Sequence, residues 1–382
     1  MQLYPLQKDN ILNIIEAVQE VVLTYFDVVL KQVLRSFFMR PGWLFQEDRR
    51  DERLEKIGSK LDLLEKLIPW ESFRARLEWM YKDTSRGGRP PYDPVMMMKI
   101  LILQGLYNVA DEEMEYQITD RISFQKFLGI EPDDKIPDAR TIWVFRERLK
   151  QEGIHDLLFR QFNKHLERSG FRAKGGQIVD ATFQEVPVQH NTPEEKQKIQ
   201  ETGEAPEEWT AKKKAHKDVD ARWTKKRNCL HYGYKNHINI DRKHKFIREY
   251  RVTSAQVHDS QCFTEMLDKR ATSRKVWADS AYMSAANILE VEKKKLVPLI
   301  NEKGYRGHPL TDAKKQENRQ KSRIRCRVEH VFGLMSKVAY GSRKIYTVGL
   351  ARAKVKVCLK NLAYNMLRLT ILMRPTGKLR TC

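Results

Sequence analysis

The chain has 382 residues, and its 71 basic and 50 acidic side chains give a formal net charge of +21. That length can form two or three domains with substantial cores. Because the positive charge is spread along the whole chain, it indicates a nucleic-acid binder rather than a protein with one basic localisation tag, although a merely soluble basic protein or a membrane-surface protein stays open as an alternative. The five cysteines are scattered without Cys-x-x-Cys spacing, which excludes a zinc ribbon and a disulfide framework.

Residues 1–42 are predicted to form one amphipathic helix, which ends at Pro41-Gly42. Residues 11–38 are rich in Ile, Leu, Val and Phe, but charged side chains interrupt this run far short of the ~20 apolar residues that a membrane span needs. No secretory signal precedes the helix, and we expect no membrane association. This helix is an element for oligomerisation, an element that binds the DNA end, or an upstream extension of little importance. The sequence does not distinguish between these roles.

Residues 43–170 are predicted to form an all-α domain that binds DNA. Apolar residues at helical spacing predict helices over 51–67, 95–107, 111–119 and 141–151, with a linker rich in Gly and Pro at 84–94. The last three helices form a helix-turn-helix-like pattern, in which Asp138 is the predicted N-cap of the third. Arg140, Arg146 and Arg148 are then placed to contact phosphate. The alternative is an ordinary helical bundle with solvated arginines.

Residues 171–375 are predicted to form a separate α/β domain. Strands are expected at 177–182, 236–240, 245–253, 275–278 and 296–300, and helices at about 258–269, 283–294, 317–338 and 350–372. An insertion at 183–230 interrupts this pattern with an acidic half and a basic half, and we expect it to have no core of its own. Its basic half contains Trp223 and the candidate DNA-contacting residues Lys212, Lys213, Lys225, Lys226 and Arg227. It is either a solvated loop or a clamp on DNA.

Three carboxylates stand out in this second domain. Asp180 and Asp279 each follow an apolar run, so each is expected at the end of a buried strand, and Glu329 lies in a helical pattern. One such residue alone is most often a turn-former or a cap. Three together can hold two divalent metal ions for attack on a phosphodiester.

With these residues in view, the chain resembles the DDE transposases of bacterial insertion sequences, and specifically the IS5 group. The resemblance covers about residues 43–373 and rests on six motifs in order: Ile-Val-Asp-Ala-Thr at 178–182, His-Tyr-Gly-Tyr-Lys-Asn-His at 231–237, Ala-Gln-Val-His-Asp at 255–259, Ala-Asp-Ser-Ala-Tyr at 278–282, Arg-Val-Glu-His at 327–330 and Asn-Leu-Ala-Tyr-Asn at 361–365.

The resemblance implies a ribonuclease H-like fold and two Mg²⁺ or Mn²⁺ ions. Asp180 would bridge the two ions, Asp279 would hold the ion beside the 3′ oxygen, and Glu329 would complete the other. The implied partners are double-stranded DNA, as terminal inverted repeats and as target, and a second copy of the chain, since both ends of an element must be cut and joined together. The implied location is the bacterial cytoplasm, in association with the nucleoid.

Basic residues around the carboxylates are candidate phosphate contacts: Arg323, Arg325, Arg327, Lys337 and Lys235. Arg325 lies four residues before Glu329, on the same helical face. The family's helix often carries a Tyr and a Lys where this chain has Ser322 and Ser336, with Lys337 one residue late. These differences from the family pattern affect the residues expected to position the cleaved phosphate. They do not affect the metal ligands.

Other polar and aromatic residues near the motifs are interpreted as structural. We interpret His231 and His237 as structural histidines, Asp259 as a helix cap, and Trp277 and Tyr282 as packing residues.

Two rival functions stay open. A DNA-binding regulator that has lost catalysis is opposed by the intact Asp180, Asp279 and Glu329. A stand-alone nuclease of similar fold is opposed by the separate helical region that precedes the catalytic sheet.

Overall fold

The structure is a computed structural model that describes Arg53 and residues 59–81, 90–131, 134–226, 228–268, 271–338 and 344–373. The predicted first helix, residues 84–89 of the predicted linker, Arg227 and the side chain of Lys337 lie outside the described part. In the part that is described, none of the helices has the length and apolar character needed to cross a membrane.

The described residues of the N-terminal half form helices. Its helices are α1 (Lys60–Leu67), α2 (Arg74–Glu78), α3 (Pro94–Tyr107), α4 (Asp111–Asp120), α5 (Ile122–Leu128), α6 (Ala139–Gln151) and α7 (Ile154–Arg168). Asp138 caps α6, because its carboxylate accepts a 2.6 Å hydrogen bond from the Thr141 N–H. The helix α7 was not predicted, although its apolar residues recur at helical spacing.

The second half contains one mixed sheet, formed by β1 (Gln177–Glu185), β2 (Arg222–Lys226), β3 (Cys229–Asp241), β4 (Ile247–Ser254), β5 (Lys275–Ala278) and β6 (Val297–Ile300). The strand order is β2-β3-β1-β5-β6, and β4 also pairs with β3. The β1–β3, β2–β3 and β3–β4 pairs are antiparallel, whereas β1–β5 and β5–β6 are parallel. Ile178 and Val179, adjacent on β1, belong to different hydrophobic clusters, so the sheet is covered on both faces.

The insertion at 183–230 is folded, which corrects the expectation of a coreless polar segment. It contains α8 (Pro193–Thr202), α9 (Ala211–His216) and β2. Trp209 is only 6% exposed, and its indole N–H donates a 2.7 Å hydrogen bond to Glu195. A capping box of Thr192 and Glu195 starts α8. One buried tryptophan with a satisfied N–H gives this polar segment a small core.

Four further helices lie in the described part of the chain: α10 (Ala285–Lys293), α11 (Asp312–Arg325), α12 (Arg327–Val338) and α13 (Leu350–Met373). The single helix predicted at 317–338 is therefore two, separated at Cys326. Helix α13 joins the two halves, because Leu362 shares one hydrophobic cluster with Leu101 of α3 and Ile238 of β3. Buried amides add to this contact, since Asn365 pairs with the backbone N–H and C=O of Ile247 at 2.9 and 2.8 Å.

Candidate active site

Two of the three predicted carboxylates lie side by side on neighbouring parallel strands. The β1–β5 register pairs Gln177 with Val276 and Ile178 with Trp277, so its continuation places Asp180 opposite Asp279. Asp279 directly follows β5, as expected. Asp180 lies within β1 rather than at its end, because β1 continues to Glu185 in its pairing with β3. Both carboxylates therefore lie two residues beyond the last paired residues of β1 and β5.

The side chain of Asp180 is largely buried. Its side chain is 15% exposed, and burial raises its pKa, an effect to which the nearby charge of Asp279 adds. Three groups act in the opposite direction: the Ala181 N–H at 2.9 Å, the Arg325 guanidinium at 2.9 Å and the charge of Lys226. Two carboxylates this close repel each other, so the pair is a place where a cation is favoured.

Asp279 is fixed by the turn that follows β5. Its carboxylate accepts hydrogen bonds from the Ser280 N–H at 2.6 Å and from the Ser280 hydroxyl at 3.3 Å. Behind it, Tyr282 is fully buried, and its hydroxyl has no hydrogen-bond partner among the described residues. Burial, together with the charges of Asp180, Asp259 and Asp279, raises the pKa of Tyr282 well above its usual value. Tyr282 and Trp277 are packing residues, as predicted.

Glu329 is connected to this pair through Arg325. The Arg325 Nη1 atom lies 2.9 Å from Asp180, and Nη2 lies 3.3 Å from Glu329 one helical turn away. Arg325 is the last residue of α11 and Glu329 lies in the first turn of α12, so the break at Cys326 sets their relative position. The Glu329 side chain is 61% exposed. Arg325 was predicted to contact phosphate, and in this structure it bridges two of the candidate ligands.

A second polar cluster lies beside the carboxylates, and the pairing of Lys235 with Asp259 within it was not predicted. Lys235, which was predicted to contact phosphate, is only 8% exposed and donates to Asp259 at 2.9 Å and to the Val257 carbonyl at 2.8 Å. That prediction is therefore wrong for this structure, since the Lys235 ammonium is already paired. Asp259 is therefore an ion-pair partner, and the cap of the following turn is His258, so the cap prediction for Asp259 is wrong. His237 is fully buried and bonds the Thr253 hydroxyl at 2.9 Å, and burial lowers its pKa to about 4. Asp259 comes close to Lys235 only because β4 pairs with β3. The spacing of these residues in the sequence does not reveal this contact.

The strand β2 brings cations toward the same site. The Lys226 ammonium lies 5.7 Å from the ring centre of Phe183, which stacks on His231 with ring centres 4.2 Å apart. His231 in turn bonds Glu185 at 3.0 Å, consistent with the structural interpretation. Lys226 and Lys225 are both exposed. This basic strand of the insertion thus lies next to Asp180, which was not expected from the sequence.

The other predicted DNA-contacting residues have different environments. The exposed ones are Arg140, Arg323 and Lys212. Arg140 lines a cleft of about 630 Å³ together with Arg148. Lys213 pairs with Glu195, and Arg327 donates to the Arg242 carbonyl at 3.2 Å.

Arg146 contradicts its predicted role. It is 8% exposed, pairs with Asp111 and lies 3.3 Å from the Gln104 amide oxygen. An arginine buried in this way stabilises the contact between α6 and its neighbours and is not available to DNA.

The donor set of the site suits a hard divalent cation. Asp180, Asp279 and Glu329 offer carboxylate oxygens, which Mg²⁺ and Mn²⁺ prefer. Within the described ranges, no three His, Cys, Asp or Glu side chains converge closely enough to hold a metal ion. Two carboxylates are adjacent and the third is held off by Arg325, so Glu329 would have to exchange its contact with Arg325 for one with the cation.

Residues 172–366 match a family model described as transposase DDE domain. The match covers more than half of the chain. The chain belongs to the transposase DDE domain family. A second model, described as transposase domain (DUF772), matches residues 48–148, which include α1 to α5 and most of α6. No solved structure matches the chain. The family is one of DNA-processing enzymes that use divalent metal ions, and all three candidate carboxylates lie inside the matched range.

Proposed function

We propose that this DDE-family protein binds the terminal inverted repeats of an insertion sequence of the IS5 group, cleaves DNA at their ends and joins the freed 3′ hydroxyls to target DNA. The observation that carries the proposal is the side-by-side placement of Asp180 and Asp279 at the point where β1 and β5 stop pairing. The repulsion between these partly buried carboxylates is relieved by a divalent cation, for which Arg325 substitutes in part.

In this proposal Asp180, Asp279 and Glu329 are the catalytic metal ligands in a ribonuclease H-like domain. Two bound Mg²⁺ or Mn²⁺ ions would supply charge stabilisation for the attacking and leaving oxygens of the phosphodiester. Asp180 and Asp279 hold their positions through the Ala181 and Ser280 N–H groups. Arg325, once released from Asp180, is placed to donate to the scissile phosphate beside Glu329.

DNA binding is assigned to two exposed basic regions. One is the strand β2, where Lys225 and Lys226 lie close to the carboxylates. The other is the exposed face of α6 around Arg140, in the proposed helix-turn-helix-like domain. A homodimer holding two DNA ends in the bacterial cytoplasm is the proposed assembly, since both ends of an element must be processed together.

The test is an end-joining assay. The purified chain is incubated in Mg²⁺ with duplexes that end in the element's terminal repeat and with a supercoiled target plasmid. Joined products support the proposal. Cleavage without joining identifies a nuclease, and repeat-specific binding without cleavage identifies a regulator. Random nicking of any duplex would contradict recognition of the element's ends.

A further inference from the structure

The helix α7 presents a row of cations to solvent. Its buried face is formed by Ile154, Leu158, Phe162 and Leu166. On the opposite face Arg160, Lys164 and Arg168 are all exposed and follow one another at four-residue intervals. At 1.5 Å per residue, successive cations are about 6 Å apart along the helix, and the row is about 12 Å long. These three residues are called the α7 cation row below.

The cations of this row have no acidic partner. None of the three forms an ion pair within the described residues. By contrast, the exposed helical residues Lys293 and Lys315 each pair with a neighbouring acid, Glu290 at 2.7 Å and Asp312 at 3.0 Å. Burial lowers the pKa of His165, and the charge of Arg168 lowers it further, as expected beside a cation without a counter-charge. Three adjacent uncompensated cations repel one another, so an anionic partner that spans them is favoured.

The row forms one wall of a groove of about 1430 Å³. The other side carries Arg76 and Trp79, whose side chain is 44% exposed. Four acids also line the groove: Glu265 pairs with Arg251, Asp268 is only 5% exposed, Glu249 is half-buried and Glu152 is exposed. A long groove with a row of free cations and one exposed aromatic side chain fits an extended polyanion better than a small acidic ligand.

The groove is separate from the candidate active site. Asp268, which lines the groove, is joined to the start of β1, because its backbone N–H and C=O both bond the Gln177 side chain at 2.9 Å. Asp180 and Asp279 lie beyond the other end of the paired β1–β5 segment. A duplex bound along the α7 cation row is therefore contacted at a distance from the phosphate that is cut.

We infer that the α7 cation row binds the phosphate backbone of duplex DNA without reading its sequence. This inference rests on the proposed action on DNA and adds a binding surface to it. Phosphates of one strand rise about 3.4 Å per base pair, so a 12 Å row spans roughly four of them. Cations at regular intervals along one helix face suit the regular spacing of backbone phosphates, so we assign the row to affinity and not to sequence preference.

The experiment compares two triple variants of the full chain. The test variant is Arg160→Ala/Lys164→Ala/Arg168→Ala. The control variant is Lys198→Ala/Lys293→Ala/Lys315→Ala, which loses the same charge from lysines that are already paired. Binding to a random-sequence duplex is measured over a range of salt concentrations, and thermal unfolding verifies that both variants fold.

The test variant should flatten the slope of log affinity against log salt by about 2.7, which is three lost phosphate contacts at about 0.9 each. The control should change the slope by less than about 1. The flattening should be equal on a terminal-repeat duplex and on a scrambled one. Equal slopes for both variants, or an effect on the repeat alone, would overturn the inference.

Cleavage distinguishes this inference from the proposed function. On DNA saturated with protein at low salt, the test variant should cut at the wild-type rate. If the salt dependence of DNA binding follows the prediction but the wild type does not cut DNA at all, the proposed function is wrong and the inference about the α7 cation row is supported. If cleavage is normal and the test variant has the same salt-dependence slope as the wild type, the inference about the α7 cation row is wrong and the proposed function is supported.

Discussion

Replacement of Arg325 by Met should destabilise the protein and make it more responsive to Mg²⁺. The Arg325 and Asp180 side chains are 19% and 15% exposed and 2.9 Å apart. At an effective dielectric constant of about 20 their attraction is roughly 6 kcal/mol before the desolvation of both groups is subtracted. Removing one partner of a fully buried pair costs about 3 to 5 kcal/mol. The remaining exposure here, and protonation of Asp180 once its partner is gone, reduce our expectation to about 2 kcal/mol.

The assay is thermal unfolding with and without Mg²⁺. A loss of about 2 kcal/mol lowers the melting temperature by roughly 2 to 3 °C in a chain of 382 residues, because the entropy of unfolding is about 2.1 cal/mol/K per residue. Added Mg²⁺ should raise the melting temperature more in Arg325→Met than in the wild type, because Mg²⁺ no longer competes with the Arg325 guanidinium for Asp180. Arg323→Met, which removes an exposed cation from the same helix, is the matched control. Identical Mg²⁺ shifts in the wild type and Arg325→Met would refute the reasoning.

Three further predictions concern the surroundings of the site. Lys225→Ala/Lys226→Ala should flatten the salt dependence of duplex binding by about 1.8, and an unchanged slope in the same titration would make β2 a solvated surface. His237 has a pKa lowered to about 4, so the wild type should lose stability as the pH falls from about 6.5 toward 4. Urea unfolding across this range should show a loss of up to about 3 kcal/mol that is absent in His237→Asn, and parallel pH profiles would contradict it. Asn365→Leu should cost about 2 to 4 kcal/mol in the same assay, since it leaves the buried N–H and C=O of Ile247 without partners, and a cost below about 0.5 kcal/mol would show that the strand finds others.

Local patterns predicted much of the secondary structure. The helices α3, α4 and α6 and the strand β5 end within about two residues of their predicted limits, because capping residues and apolar periodicity are properties of neighbouring positions. Asp138 is an example. An aspartate directly before a helix caps its N-terminus by accepting a backbone N–H of the first turn, and this contact does not depend on the tertiary fold. The end of β5 before Asp279 follows from the same kind of signal.

Features that depend on contacts between residues far apart in the sequence could not be predicted. Arg146 had the spacing of a DNA-contacting residue, and only the packing of α6 against α4 buries it with Asp111. The insertion was expected to lack a core because its composition is polar, but one tryptophan at 209 and a capping box suffice to order it. The Arg325 bridge between Asp180 and Glu329 depends on where a helix crosses a strand 145 positions away, which spacing within a helix does not encode.

The central claim is that Asp180, Asp279 and Glu329 act together as one metal-dependent cleavage site, and the most direct test is Asp279→Asn. The change removes one charge and leaves an amide oxygen that still accepts from the Ser280 N–H, so the local turn should persist. The measurement is the single-turnover rate of end cleavage in Mg²⁺, on terminal-repeat DNA bound to saturation. The account predicts DNA affinity within about twofold of the wild type and a cleavage rate at least about a thousandfold lower. Cleavage at the wild-type rate would contradict it.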